Sequence, residues 1–90
     1  MSIKVHLYSS LRVHAGNRDL VEVRGTTVGE CLDDLVSQHP DLLPLLFDEA
    51  GKIKKNVFVS INLESAYREQ LTKSVEDNDN LYLILIIAGG

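Results

Sequence analysis

The group in this 90-residue chain best placed for chemistry is its last, because the sequence ends Ile86-Ile87-Ala88-Gly89-Gly90. A free carboxylate behind two glycines is an acyl group that can be offered to another protein. Glycine has no Cβ and tolerates any backbone angle, so such an end can enter a channel too narrow for other residues. Three extended residues reach about 10 Å. The chemistry that suits this end is adenylation of the carboxylate by ATP, followed by attack of a sulfur or nitrogen nucleophile. Taken alone, a Gly-Gly end also reads as a frayed terminus, and it arises by chance in about one chain in two hundred at ~7% glycine usage. The element that precedes it decides between the two readings.

Internal chemistry is not expected. His6, His14 and His39 show no metal-ligand spacing with Cys31, so no metal site is assigned. Cys31 falls on the apolar stripe of a helix and reads as a small buried hydrophobe. Asp33-Asp34 and Glu76 to Asp79 read as a solvated helix face and a turn, not as a general acid–base pair. The chain has no Gly-rich phosphate loop and no nucleophile motif, so no catalytic residue and no permanently bound cofactor are expected.

Composition narrows the class further. Ninety residues amount to one domain, 1–90, which buries a little over ~60% of its unfolded surface and has no room for a core plus an enclosed pocket. A hydrophobic fraction of 44% excludes global disorder. The net charge is -4 with no Lys or Arg run, which argues against nucleic acid and suits a basic patch on a partner protein. The single cysteine, Cys31, fits a reducing compartment. Met1-Ser2-Ile3-Lys4 has no apolar signal region, and the longest apolar stretch, Leu81 to Ala88, is far short of the ~20 residues that span a bilayer. The expectation is a soluble cytoplasmic protein with no membrane partner.

The elements that must position the tail follow from periodicity. Ile3 to Tyr8 alternates with period two, placing Ile3, Val5 and Leu7 on one face and Lys4, His6 and Tyr8 on the other. Ser9 to Ala15 makes one helical turn, closed by Gly16-Asn17. Leu20 to Arg24 is a second strand, ended by Gly25. Thr27-Val28-Gly29-Glu30 fits a capping box, and Val28, Cys31, Leu32, Leu35 and Val36 make one apolar helix stripe as far as Gln38. Pro40 stops that helix by forcing His39 out of the α region. Asp41 to Phe47 is a short helical turn over one end of the core, and Asp48 to Lys52 is a polar turn. Val57 to Ile61 is a third strand. Asn62 to Lys73 reads as a short edge strand and a loop, and Glu76 to Asn80 as a turn cluster. Leu81 to Ile87 is apolar at every position, which suits a central strand.

The order β-β-α-β-(β)-β, with one helix to cover one sheet face and the last strand central beside the first, is an α+β chain of the β-grasp type. It has a mixed four- to five-stranded sheet. The tail then leaves from a rigid base. If Leu81, Leu83 and Leu85 face the helix, Tyr82, Ile84 and Ile86 face outward with Tyr8 and Phe58. One helix cannot cover both faces, and a contiguous apolar patch on a small protein marks an interface. Together with Ala88 beside the tail, these residues make the expected partner interface.

Ile3-Lys4-Val5, Ser10-Leu11-Arg12 with Ala15-Gly16, Thr27 to Leu32, His39-Pro40, Val57-Phe58-Val59 and Gly89-Gly90 run in order over the whole chain. In this series the chain resembles the ubiquitin-like sulfur carriers, above all the small subunit of molybdopterin synthase. The thiamine-pathway carriers are similar but usually lack the Leu11-Arg12…Ala15-Gly16 segment, and the archaeal small modifier proteins share the pattern. Asn62-Leu63, where many relatives have Asn-Gly, and Ile86-Ile87, where many have a proline, depart from it. The resemblance implies that a ubiquitin-activating-type enzyme consumes ATP to make a glycyl adenylate at Gly90, and that sulfur converts it to a 1-thioglycine thiocarboxylate. The tail then enters the large synthase subunit of a heterotetramer, and sulfur passes to a pterin precursor. The alternatives are a modifier joined to lysines through Gly90, a carrier for thiamine or tRNA thiolation, and a plain interaction domain with an idle tail.

Overall fold

The structure is a computed structural model that describes residues 2–8, 10–62 and 73–85. Four strands form one sheet in the order β2-β1-β4-β3, where β1 is Ser2–Leu7, β2 Leu20–Arg24, β3 Val57–Ile61 and β4 Asn80–Leu85. The two central strands, β1 and β4, run parallel, with Val5 opposite Leu81 and Leu7 opposite Leu83. Each is flanked by an antiparallel edge strand. Parallel neighbours cannot be joined by a tight turn, and the helical middle of the chain supplies the crossover. This is the β-grasp arrangement expected from the sequence, with the terminal strand at the centre of the sheet.

Helix α2 spans Val28–Gln38, the range its periodicity predicts. Thr27 caps it, its Oγ1 accepting from the Glu30 amide at 3.2 Å. The capping box is displaced by one residue: the Glu30 carboxylate accepts from the Thr26 amide and the Thr26 hydroxyl, both at 2.8 Å. The helix buries Val28, Cys31, Leu32 and Leu35, and Val36 is partly buried at the edge of the same stripe. A short helix α1 (Ser10–Val13) follows β1, and a 3-10 turn (Pro40–Leu42) runs into α3 (Leu43–Leu46). Leu11, Ala15, Leu42 and Leu46 from these pieces are fully buried. They close the ends of a core built on Ile3, Val5, Leu7, Val57, Val59, Leu81 and Leu83.

The free edge of β2 is covered by side chains of α2. Gln38 Nε2 donates to the Glu22 carbonyl at 2.9 Å, and Asp34 Oδ2 accepts from the Arg24 amide at 2.8 Å. These bonds occupy backbone groups that an exposed edge would offer to another chain. The fifth strand expected between Asn62 and Lys73 lies outside the described residues over 63–72. Beyond them Ser74 makes a single antiparallel bridge to Thr27.

Candidate functional site

The strand that leads to the tail is hydrogen-bonded on both sides: Leu81 and Leu83 pair with β1, and Leu81 to Leu85 pair with β3. Gly90 follows Leu85 by five residues, a length that spans at most about 18 Å. Gly89 and Gly90 lie outside the described residues, as do Ile86 and Ala88 of the expected interface.

The remaining interface residues fall on one sheet face, opposite α2. Pleating forces this, because alternate residues of each strand point to opposite sides. Leu81 and Leu83 are fully buried, whereas Ile84 is 41% exposed and Tyr82 is half-buried. Ile84 sits directly across from the half-buried Phe58. Tyr8, 38% exposed just past the end of β1, lies with its ring 6.4 Å from that of Tyr82. Tyr8, Phe58, Tyr82 and Ile84 thus belong to one face of the sheet, the one that α2 does not cover.

Three further residues join them. His6 pairs across the strands with Tyr82 and stacks on its ring at 4.4 Å, with 11° between the planes. Its Nε2 is 2.9 Å from Asn80 Oδ1, a bond that needs a proton on Nε2. On its other side His6 pairs with Leu20, which is 43% exposed. Arg12 approaches from α1, its guanidinium carbon 6.0 Å from the centre of the Tyr8 ring. His6 and Leu20 were accessible to strand parity, given the register of β1 on β2. Arg12 was not, because its place depends on α1 folding back over the end of β1.

The acidic and thiol groups do other work. Asp34 ties α2 to β2 and to Gln38. Asp77 Oδ1 accepts from the Ser2 amide at 2.7 Å. Asp79 accepts from the Glu76 amide and from Asn62 Nδ2, and these two bonds hold its carboxyl below the ordinary value of 3.8. Cys31 is completely buried, and burial, aided by the nearby Glu30 and Asp34 charges, pushes its thiol up to about 11. A buried thiol so far from ionisation is a packing group, not a nucleophile. Among the described residues no three His, Cys, Asp or Glu side chains come together as a metal site, and no helix is long and apolar enough to cross a membrane.

Known proteins share this build. The model of the ThiS family matches residues 5–90. Small archaeal modifier protein 1 of Haloferax volcanii is 35% identical over 86 residues, covering 93% of this chain and 95% of that protein. The crystal structure of SAMP1 from Haloferax volcanii superposes with a TM-score of 0.88 at 31% identity, covering 100% of both chains. A chain in the crystal structure of the Amycolatopsis orientalis BexX/CysO complex gives a TM-score of 0.85 at 33% identity, covering 98% of this chain and 99% of that one. A match that begins in the first strand and runs to the last glycine leaves one assignment: this chain belongs to the ThiS family of ubiquitin-like sulfur carriers and modifiers.

Proposed function

We propose that the Gly90 carboxylate is the working group, and that the protein carries it, activated, from an adenylating enzyme to an acceptor. The observation that carries this reading is a Gly89-Gly90 end five residues beyond a strand held at the centre of the sheet. A ubiquitin-activating-type enzyme, docked on the face of Tyr8, Phe58, Tyr82 and Ile84, would draw the tail into its active site. There the carboxylate oxygen attacks the α-phosphorus of ATP and releases pyrophosphate. Hydrosulfide then attacks the glycyl carbon and expels AMP, leaving a thiocarboxylate. All catalysis sits on the enzyme; this chain contributes the acyl group and the docking surface. In the sulfur-carrier reading the product enters the large subunit of molybdopterin synthase in a heterotetramer and delivers its sulfur to a pterin precursor.

A second reading starts from the same adenylate. A lysine amine replaces the sulfur nucleophile, and the result is an isopeptide bond to another protein. The 35% identity to a small archaeal modifier protein favours it. Intact-mass analysis of the protein from its own cells separates the two. An oxygen-to-sulfur mass change on Gly90 marks the carrier, and Gly-Gly remnants on other proteins' lysines mark the modifier. Deletion of Gly90 tests the step they share. It retracts the carboxylate by roughly 3.5 Å, and misplacement of about 1 Å already costs about a hundredfold in rate. The deletion should abolish adenylation while leaving the melting temperature unchanged. Adenylation of the shortened chain at the normal rate would refute the reading.

A further inference from the structure

Arg12 is the residue of the face opposite α2 that neither the core nor the tail accounts for. It is exposed, and solvation alone would explain an exposed arginine, but its surroundings hold it in place. Its carbonyl accepts from the amides of Ala15, at 3.0 Å, and Asn17, at 2.8 Å. The flanking Leu11 and Ala15 are completely buried. Its Nε donates to the Leu7 carbonyl at 3.0 Å, at the last residue of β1, and its guanidinium lies toward the Tyr8 ring. Among the described residues its two Nη groups make no hydrogen bond or ion pair. Among the described residues the guanidinium is therefore anchored through one nitrogen, with the other two unpaired. It borders a cleft of about 280 Å³ lined by His6, Leu7, Tyr8, Arg12, Asp19 and Leu20. His6, which lines this cleft, stacks in turn on the Tyr82 ring.

The geometry points to Arg12 as an ion-pairing anchor for a single aspartate or glutamate side chain of the partner protein that docks on this face. A planar fork with its stem fixed loses little freedom on pairing, and it matches a carboxylate with two parallel hydrogen bonds. Arginine beside aromatic rings is also the composition of interface residues that dominate binding. The occupant is one carboxylate and not a phosphate chain. Asp19 lines the same cleft, Glu22 stands on the adjoining strand, and the chain carries a net charge of -4. A polyanion would meet these charges, whereas a lone carboxylate with apolar neighbours meets only the guanidinium and the aromatic rim.

This inference rests on the docking role proposed above, and the test keeps the two apart. Calorimetric titration with the adenylating enzyme of the same organism would compare the wild-type chain with Arg12→Gln and Ile84→Lys. Glutamine can still donate to the Leu7 carbonyl, so the first variant should melt like wild type and bind about thirtyfold more weakly. Its affinity should also depend less on salt, because one ion pair is gone. Wild-type binding by Arg12→Gln with lost binding by Ile84→Lys overturns the anchor and leaves the docking face standing. Wild-type binding by both overturns the docking face as well. If Arg12→Gln melts early, the wild-type chain decides: NMR of the complex should show Arg12 Nη protons in slow rotation, and averaged protons like those of the free chain would overturn the pairing.

Discussion

A single missing side chain sets the distance between β2 and α2. A Cβ built on Gly25 would meet the Cys31 amide nitrogen at 2.8 Å, the Glu30 Cβ at 2.9 Å and Cys31 Sγ at 3.0 Å. The closest of these is backbone in the first turn of the helix, so relief would require moving α2 and not merely a rotamer. Replacing glycine by alanine gains about 0.4–1 kcal/mol by restricting the unfolded chain. Overpacking a close contact costs about 1–3 kcal/mol, and here the second effect wins. Gly25→Ala should lower the urea midpoint with little change in slope, and an unchanged or higher midpoint would show that the helix yields at no cost. Nothing in the sequence marked Gly25 as more than the end of a strand, because the constraint comes from a helix turn that crosses it in space. Cys31 was legible for the opposite reason: its place on the apolar stripe is local information, and its complete burial follows from it.

The elements themselves were the most readable level. Helix α2 and strands β2 and β3 have the bounds that periodicity assigns, since amphipathic spacing and turn residues act over a few neighbours. Partners of side chains at element ends were less so. Glu30 was expected to reach back to the head of its helix, and it binds Thr26, one residue before the cap. The two bonds from Thr26 pull the Glu30 carboxyl below its ordinary 4.5, and the helix N-terminus acts in the same sense. A folded-state pKa below the unfolded one means that the folded chain binds protons less readily. The stability this contributes is present above pH 4.5 and is lost as the pH falls through the folded value. Asp79, lowered from 3.8, adds a loss with the same sign at more acid pH. Melting temperature should therefore fall as the pH drops from about 5 to about 3. In Glu30→Gln the upper part of that fall should flatten, because the amide does not titrate. Parallel curves for the two proteins would mean that Glu30 is not held by Thr26 in solution.

At the scale of the molecule, α2 packs on one face of the sheet and leaves a mixed charged and apolar surface on the other. Helix α2 and the turn after it carry Glu30, Asp33, Asp34 and Asp41, and the opposite face carries Lys4, Glu22, Asp19 and Arg12 beside its aromatic rings. The apolar run of β4 contained both facts at once. Its composition required a central strand, and its parity required that half of it look away from the helix. The sharpest test uses neighbours one peptide apart. Leu83 is completely buried between Leu7 and Val59, and Ile84 is 41% exposed opposite Phe58. A lysine at position 83 would bury an unpaired charge in a site with no polar partner. That costs several kcal/mol, against a total stability of about 5–15 kcal/mol for an ordinary domain. A lysine at position 84 can run its stem along Phe58 and keep its ammonium in water, so its cost should stay near 1 kcal/mol, mostly lost strand propensity. Circular dichroism should find Leu83→Lys largely unfolded at 25 °C and Ile84→Lys folded, with a melting temperature lower by only a few degrees. If Ile84→Lys unfolds as well, the second face of the sheet is covered by other parts of the chain and offers no surface to a partner.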